Sequence, residues 1–238
     1  MKTISDPSGY VQPVAEEYVA LYGKDIVSIV LYGSAAGGDF HPQRSDINLL
    51  IVVSDMSPEL IARSEPLQKK YERQRVARPL FMDTAYIAAS VDSYPMEFLD
   101  MKGCYRVLYG EDVLAQVKVS IGDLRLQVER ELKGKWLHLL QEFSSARVSR
   151  KRMEQLIGIS LKAFSPVFRG LLTLKEKPVP HKRDDLFDAV EMAYGLDGQP
   201  LQQVAAAAAG GSSGQELEKK YIAYAGAIKK LIDAIENN

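Results

Sequence analysis

The sequence predicts an α+β fold in which a small mixed β-sheet with flanking helices is followed by a carboxy-terminal helical bundle. Two β-branched runs, residues 26–32 and 47–53, have the length and composition of buried strands. After Gly110 the apolar residues recur instead at intervals of three and four, which is the spacing of helices that bury one side. This change of pattern predicts two domains, residues 1–115 and 116–238.

The first domain is expected to begin with a helix. Val14, Tyr18, Leu21 and Tyr22 lie at helical spacing. They are followed by Gly23, and glycine suits the left-handed conformation that often ends a helix. We therefore expect the helix to end there and the first strand to follow it.

Further elements are expected after the second strand. Residues 57–59, Ser-Pro-Glu, combine a capping serine, a first-turn proline and an acidic residue, and apolar spacing continues this helix toward Val76. Short apolar or mixed runs at residues 79–82 and 95–99 predict additional strands. A turn of helix over residues 84–90 is expected between them.

The second domain is expected to be built from long helices, because apolar stripes run through residues 124–140, 153–174 and 217–235. A basic, proline-bearing stretch at residues 175–183 and a glycine-rich one at 210–214 connect them. The five alanines before the second connector are compatible with a tightly packed helix or with the margin of a loop, since alanine favours helix but buries little area.

Composition and charge exclude several functional classes. Thirty basic and 31 acidic residues give a net charge of -1, which provides no overall field for nucleic acid or anionic membrane. The longest purely apolar runs, such as residues 49–53, are far shorter than the ~20 residues that cross a bilayer, so no membrane association is expected. Cys104 is the single cysteine, and a reducing cytoplasm is the expected location. The three histidines are too far apart for a zinc site.

Residues that could bind a metal ion and a phosphate lie between the two strands. The first strand is followed by Gly33-Ser34, then by a loop, and then by Asp46-Ile47-Asn48. Because side chains two apart on a strand point to the same face, Asp46 and Asn48 are expected to present oxygen atoms side by side while Ile47 enters the core. Such oxygens suit a hard cation such as Mg²⁺, and the glycine and serine suit a phosphate. The sequence therefore predicts a magnesium and phosphate site.

Residues 31–53, LYGSAAGGDFHPQRSDINLLIVV, resemble the signature of DNA polymerase β-like nucleotidyltransferases: Gly-Ser, a spacer, then Asp-x-Asp before an apolar strand. The nearest resemblance is to bacterial antibiotic transferases of the kanamycin and streptomycin type, which pair this domain with a helical bundle. The resemblance implies transfer of a nucleoside monophosphate from a magnesium-bound nucleoside triphosphate, with ATP as the nucleotide, to a hydroxyl of a small molecule or macromolecule. Members often pair subunits, so a homodimer is one expected assembly.

The resemblance also implies roles for individual residues. Gly33, Ser34 and Ser45 would bind the nucleotide, with Ser34 holding a β- or γ-phosphate. Asp46 and Asn48 would bind the metal, and Asp46 would also help to orient the attacking oxygen.

A third carboxylate is needed from a later strand, and Glu97 is the first choice for this metal and catalytic position. Asp83 and Asp100 are the alternatives.

One residue departs from the family pattern. Asn48 stands where the family has a second aspartate, so one negative charge is lost and a neutral carbonyl oxygen remains. This predicts weaker magnesium binding and keeps open a second hypothesis, a nucleotide-binding or regulatory protein of the same fold with little or no turnover. A toxin–antitoxin role is a third, but the long helices contain no Arg-x₅-His pattern that would support it.

Overall fold

The computed structural model describes residues 7–37, 40–41, 45–210 and 212–237. The predicted α+β fold is confirmed, since a four-stranded mixed sheet with helices precedes an all-helical region. The chain divides into two compact units between Val119 and Ser120.

The first unit contains one sheet and six α-helices among the residues described. The strands are β1 (Ile26–Tyr32), β2 (Asn48–Val53), β3 (Leu80–Met82) and β4 (Tyr105–Gly110). The helices are α1 (Pro7–Tyr22), α2 (Ser34–Gly37), α3 (Pro58–Ala62), α4 (Glu65–Glu72), α5 (Thr84–Ser90) and α6 (Pro95–Gly103), with a 3₁₀ turn at Gly23–Asp25. The strand order is β3-β2-β1-β4, with β1 antiparallel to β2 and β4, and β2 parallel to β3.

Both faces of the sheet are covered, which explains why β1 and β2 are almost continuously apolar. Alternate strand residues such as Ile29 and Leu31 pack with Val14 and Tyr18 of α1 on one face. On the opposite face the core is formed by strand residues and by α5 and α6. Its members include Val30, Leu50, Val52, Ile87, Phe98 and Met101. The sheet is therefore the middle layer of this unit, and its strand ends are the places left for a site.

Several predicted elements have the expected form. The first helix ends at Tyr22, and Gly23 has φ +56° at the start of the 3₁₀ turn. β1 has the predicted bounds, β2 begins one residue later than predicted, and β3 confirms the strand expected in residues 79–82. The helix expected over 84–90 is α5.

Three predictions for this unit are wrong. The helix expected from Ser57 to Val76 is two helices, because Pro66 in the first turn of α4 has no N–H with which to continue α3. Residues 95–99 form the start of α6 instead of a strand: Pro95 occupies its first turn, and the N–H of Phe98 donates to Tyr94 O at 3.2 Å.

The third wrong prediction concerns the loop between β1 and β2, which was expected to hold no regular element but includes α2 (Ser34–Gly37). Five other residues of that predicted loop, 38, 39 and 42–44, lie outside the described residues. One strand, β4, was not identified from the sequence.

The second unit consists of α7 (Ile121–Ala146), α8 (Arg150–Leu174), α9 (Arg183–Tyr194), α10 (Pro200–Ala209) and α11 (Gly214–Glu236) in its described part. α7 packs against α8 and α11, and α10 packs against α8 and α11. The alanine run lies in α10, where Ala207 is buried. Of the two expectations for this run, a helix and a loop margin, the helix is therefore confirmed. Aromatic rings fill the interior, with Phe168 edge-on to Phe187 and Phe164 edge-on to Tyr224.

One helix of this unit, α8, has a length and an apolar composition compatible with crossing a membrane. Half of its most apolar window is buried inside the unit. A core helix of a folded domain meets the same criteria, so this is weak evidence for a membrane span.

A buried carboxylate joins α9 to α10. Glu191 is 5% exposed, and its Oε1 accepts hydrogen bonds from the N–H groups of Leu201 at 2.6 Å and Gln202 at 3.4 Å. These N–H groups lie in the first turn of α10, where a helix has no acceptor of its own. Among the described residues, Oε2 is buried without a hydrogen-bond partner. Burial raises the pKa of Glu191, although the two backbone N–H groups act in the opposite direction.

Glu191→Gln is expected to make the protein's stability less dependent on pH. Because the folded-state pKa is raised, the stabilising contribution of Glu191 is fully present below its unfolded pKa and is lost as pH rises through the folded value. The variant should therefore gain stability relative to the wild type as pH rises. Urea titrations followed by the fluorescence of Trp136, the single tryptophan, measure this.

Glu142→Gln, at an exposed position on α7, is the control and should show no such trend. A difference between Glu191→Gln and wild type that is constant across pH would contradict the prediction.

Candidate functional site

The candidate site lies where β1 ends and β2 begins. Gly33 follows β1 with φ +76°, a conformation that favours glycine. Its N–H donates to Cys104 O at 2.9 Å, and its carbonyl accepts from the N–H of Ala36 at 2.9 Å. These bonds fix the turn against the start of β4 and place Ser34 as the first residue of α2, half-buried.

Asn48 lies directly beside this turn. It is the first residue of β2, is paired with Tyr32 of β1, and is half-buried. A Cβ added to Gly33 would come within 3.4 Å of Asn48 Nδ2. The glycine therefore leaves room for the Asn48 carboxamide, and the turn and the amide share one small space.

Asp46 is two residues earlier, separated from Asn48 by the fully buried Ile47. Its side chain is 60% exposed, and its Oδ1 lies 3.8 Å from Nη1 of Arg75. The same Nη1 donates to Ser45 O at 3.5 Å. Asp46 thus reaches solvent next to a cation, and such an exposed, long ion pair is weak.

Ser45 also has a role within the loop. Its Oγ accepts from the N–H of His41 at 3.0 Å, and its own N–H donates to His41 O at 2.8 Å. The hydroxyl therefore stabilises the loop just before Asp46.

The three carboxylates considered for the third position lie in different places. Glu97 is exposed in the first turn of α6, and a helix replaces the strand on which it was expected. Asp83 follows β3 and caps α5 by accepting from the N–H of Tyr86 at 2.6 Å. Since Val52 pairs with Met82, Asp83 follows the end of β3 that is remote from Asn48.

Asp100 is three residues after Glu97 on α6, and its charge acts on Tyr32. Burial first, and the negative charge of Asp100 second, raise the pKa of Tyr32. Tyr32 is the cross-strand partner of Asn48. Asp100 therefore has an electrostatic connection to the end of the sheet where Gly33 and Asn48 lie.

The oxygen donors suit a hard cation, but they are few. Asp46 offers a carboxylate, Asn48 an amide oxygen and Ser34 a hydroxyl. Over the ranges described, no group of three or more His, Cys, Asp or Glu residues could hold a metal ion. A magnesium ion would fit here only if substrate phosphates supplied further ligands, which is how this ion is commonly bound.

Arg75 lies at the site although the sequence pattern does not indicate it. This residue follows α4, and its unusual φ of +59° belongs to a chain reversal that returns to the sheet. Its carbonyl accepts from the N–H of Ile47 at 2.8 Å, and Val76 forms a parallel bridge with Ile47. The sequence shows that residues 73–78 are basic. The bridge between Val76 and Ile47, however, depends on the parallel arrangement of β2 and β3.

Comparison with known proteins identifies the class of the segment that contains this site. Residues 14–95 match the family model described as the nucleotidyltransferase domain, and this confirms the polymerase β-like resemblance for that segment. The match covers about a third of the chain, from within α1 to the first residue of α6. It includes Gly33, Asp46, Asn48 and Arg75. No curated protein matches the chain.

Proposed function

We propose that this protein transfers a nucleoside monophosphate from a magnesium-bound nucleoside triphosphate, with ATP as the first candidate, to a hydroxyl acceptor. The observation that carries the proposal is the proximity of the Gly33 turn to Asn48 at the β1–β2 junction, within the segment that matches the nucleotidyltransferase domain. Asp46 lies at the same junction with an exposed carboxylate. The hydrogen-bond donors proposed for the phosphates and the oxygen ligands proposed for the cation therefore lie at one edge of the sheet.

The residues have distinct roles in this proposal. Gly33 allows close approach of a phosphate to the backbone, and the N–H and hydroxyl of Ser34 donate to phosphate oxygens. Asp46 and Asn48 would hold the magnesium ion, which would neutralise charge on the phosphates. In the transfer, the acceptor oxygen bonds to the α-phosphorus while the bond to pyrophosphate breaks, and the hydroxyl proton passes to a base.

We assign the third acidic position to Asp100 in place of Glu97. The support is the influence of Asp100 on the pKa of Tyr32, the residue paired with Asn48. Glu97 lies one helical turn earlier, and Asp83 is used as the cap of α5.

A second candidate function is nucleotide binding with little or no turnover. It is favoured by the neutral Asn48 and by Arg75, whose positive charge lies beside the carboxylate of Asp46. Both features reduce the negative charge that attracts divalent ions.

The two candidates are separated by two measurements on the full chain. Calorimetric titration with ATP in the presence of Mg²⁺ detects binding under either function. Release of pyrophosphate in the presence of a panel of hydroxyl acceptors is expected only from the transferase. Binding without any release across the panel would favour the second candidate.

Asp46→Ala is expected to weaken the binding of magnesium–ATP by up to about tenfold, equivalent to ~1.4 kcal/mol, because it removes a carboxylate ligand of the magnesium ion at the junction. Asp55→Ala is the matched control, since Asp55 is an exposed aspartate beyond the other end of β2. Calorimetry measures both affinities. If Asp46→Ala binds magnesium–ATP as tightly as Asp55→Ala does, the proposed site is wrong.

A further inference from the structure

The charge at the β1–β2 junction differs from that of a site built from several carboxylates. Asp46 and Asp100, the proposed third carboxylate, contribute one negative charge each. Asn48 contributes none, and Arg75 contributes one positive charge 3.8 Å from Asp46 Oδ1. A cluster of three carboxylates without metal repels a triphosphate strongly, whereas here the pair of Asp46 and Arg75 is close to neutral and Asp100 alone adds a negative charge. The electrostatic need for divalent ions is therefore smaller here.

The position of Arg75 is fixed by its backbone. Its carbonyl accepts from the N–H of Ile47 at 2.8 Å, so the residue is held next to the start of β2. The side chain is 30% exposed and directs Nη1 toward Ser45 O and Asp46 Oδ1. The guanidinium therefore lies beside Ser45 and Asp46, just before β2, and it reaches solvent.

The present contacts of Arg75 are easily exchanged. The distances of 3.8 Å to Asp46 and 3.5 Å to Ser45 O are long, and the Asp46 side chain is 60% exposed. A phosphate group offers the guanidinium shorter, charge-assisted hydrogen bonds, which are stronger than these contacts. Binding of a phosphate would thus replace a weak pair by a strong one.

We propose that Arg75 binds the triphosphate directly and supplies positive charge that a divalent ion would otherwise supply, so that the site retains a nucleoside triphosphate without metal. The proposal rests on the nucleotide site proposed above. It adds a phosphate-binding residue that comes from the segment between α4 and β3.

The test is calorimetric titration of the full-length protein with ATP, once with Mg²⁺ and once with EDTA. For the wild type, affinity in EDTA is expected to lie within about tenfold of that in Mg²⁺. Arg75→Gln should lose about tenfold or more in EDTA and less in Mg²⁺, since Asp46 then binds the ion without a neighbouring cation. A merely structural role would weaken binding equally in both conditions.

Arg78→Gln is the matched control. Arg78 belongs to the same segment, but its side chain is 75% exposed and pairs with Glu72 at 3.6 Å. The change in net charge is identical, so any long-range effect of charge appears in both variants. Arg75→Gly is a second variant whose backbone favours the positive φ, which guards against misfolding of Arg75→Gln. Inorganic tripolyphosphate should compete with ATP in EDTA, as expected for contacts to phosphate.

The outcomes are distinguishable. ATP binding that requires Mg²⁺ in the wild type would overturn the role of Arg75 and leave the proposed function intact. Equal losses for the Arg75 and Arg78 variants in EDTA would also overturn it. A wild type that binds ATP under neither condition would overturn the proposed function itself.

Discussion

Gly110→Ala is expected to lower the free energy of unfolding of the sheet unit by about 3 kcal/mol or more, because β1 and β4 must separate to accept the methyl group. Gly110 ends β4 with φ +74°, and a Cβ there would lie 2.0 Å from Val27 O and 2.9 Å from Val27 C. Both atoms are backbone, so a change of rotamer cannot relieve the clash. The same contact region contains Ser28, which is fully buried and donates to Glu111 O at 2.6 Å.

Hydrogen exchange of peptides from β1 measures this effect directly, since the fluorescence of Trp136 reports on the other unit. Gly103→Ala is the control: it is the same chemical change at the end of α6, where an added Cβ would meet nothing within 4 Å. We expect strong loss of protection in β1 for Gly110→Ala and little change for Gly103→Ala. Equal protection in the two variants would show that the β1–β4 approach is looser than the structure indicates.

The first two strands could be predicted because each is recognisable from the composition of its own consecutive residues. Residues 26–32 and 48–53 are largely buried on both faces, so each strand is an almost continuous run of β-branched and other apolar residues, interrupted only by Ser28 in β1 and preceded by Asn48 in β2. The prediction of a strand over residues 95–99, which instead begin α6, is wrong for a physical reason. Burial of Met96 and Phe98 around the exposed Glu97 alternates as in a strand, and the burial of Met101 completes the helical pattern.

The candidate site likewise contains some residues that the sequence pattern indicates and others whose positions depend on tertiary packing. Gly33, Asp46 and Asn48 lie at the ends of two consecutive strands, so a sequence pattern was enough to bring them together as candidates. Arg75 and Asp100 come from segments that follow, and their positions depend on the parallel pairing of β2 with β3 and on the packing of α6 against the sheet. Spacing along the chain carries no information about such contacts, so it does not decide among Glu97, Asp83 and Asp100 for the third position.

The second large effect is expected from Asn48→Asp, which should raise the affinity for Mg²⁺ and increase pyrophosphate release about tenfold or more. The two side chains have nearly the same shape, so the space beside Gly33 that now holds Nδ2 accommodates a carboxylate oxygen. What changes is charge: a second negative group beside Asp46 attracts a divalent ion and repels its neighbour when no ion is bound. The variant should therefore be stabilised against heat by Mg²⁺ more than the wild type.

Thermal unfolding across a magnesium titration measures the first effect, and pyrophosphate release with ATP and an acceptor panel measures the second. Asn48→Ala separates charge from shape, because it removes the oxygen as well and should weaken the response to Mg²⁺. A gain in release with Asn48→Asp would mean that the remaining geometry is competent for transfer and that the neutral amide limits it. If Asn48→Asp changes neither the magnesium response nor the release of pyrophosphate, residue 48 is not a metal ligand, and the resemblance at this position concerns the fold alone.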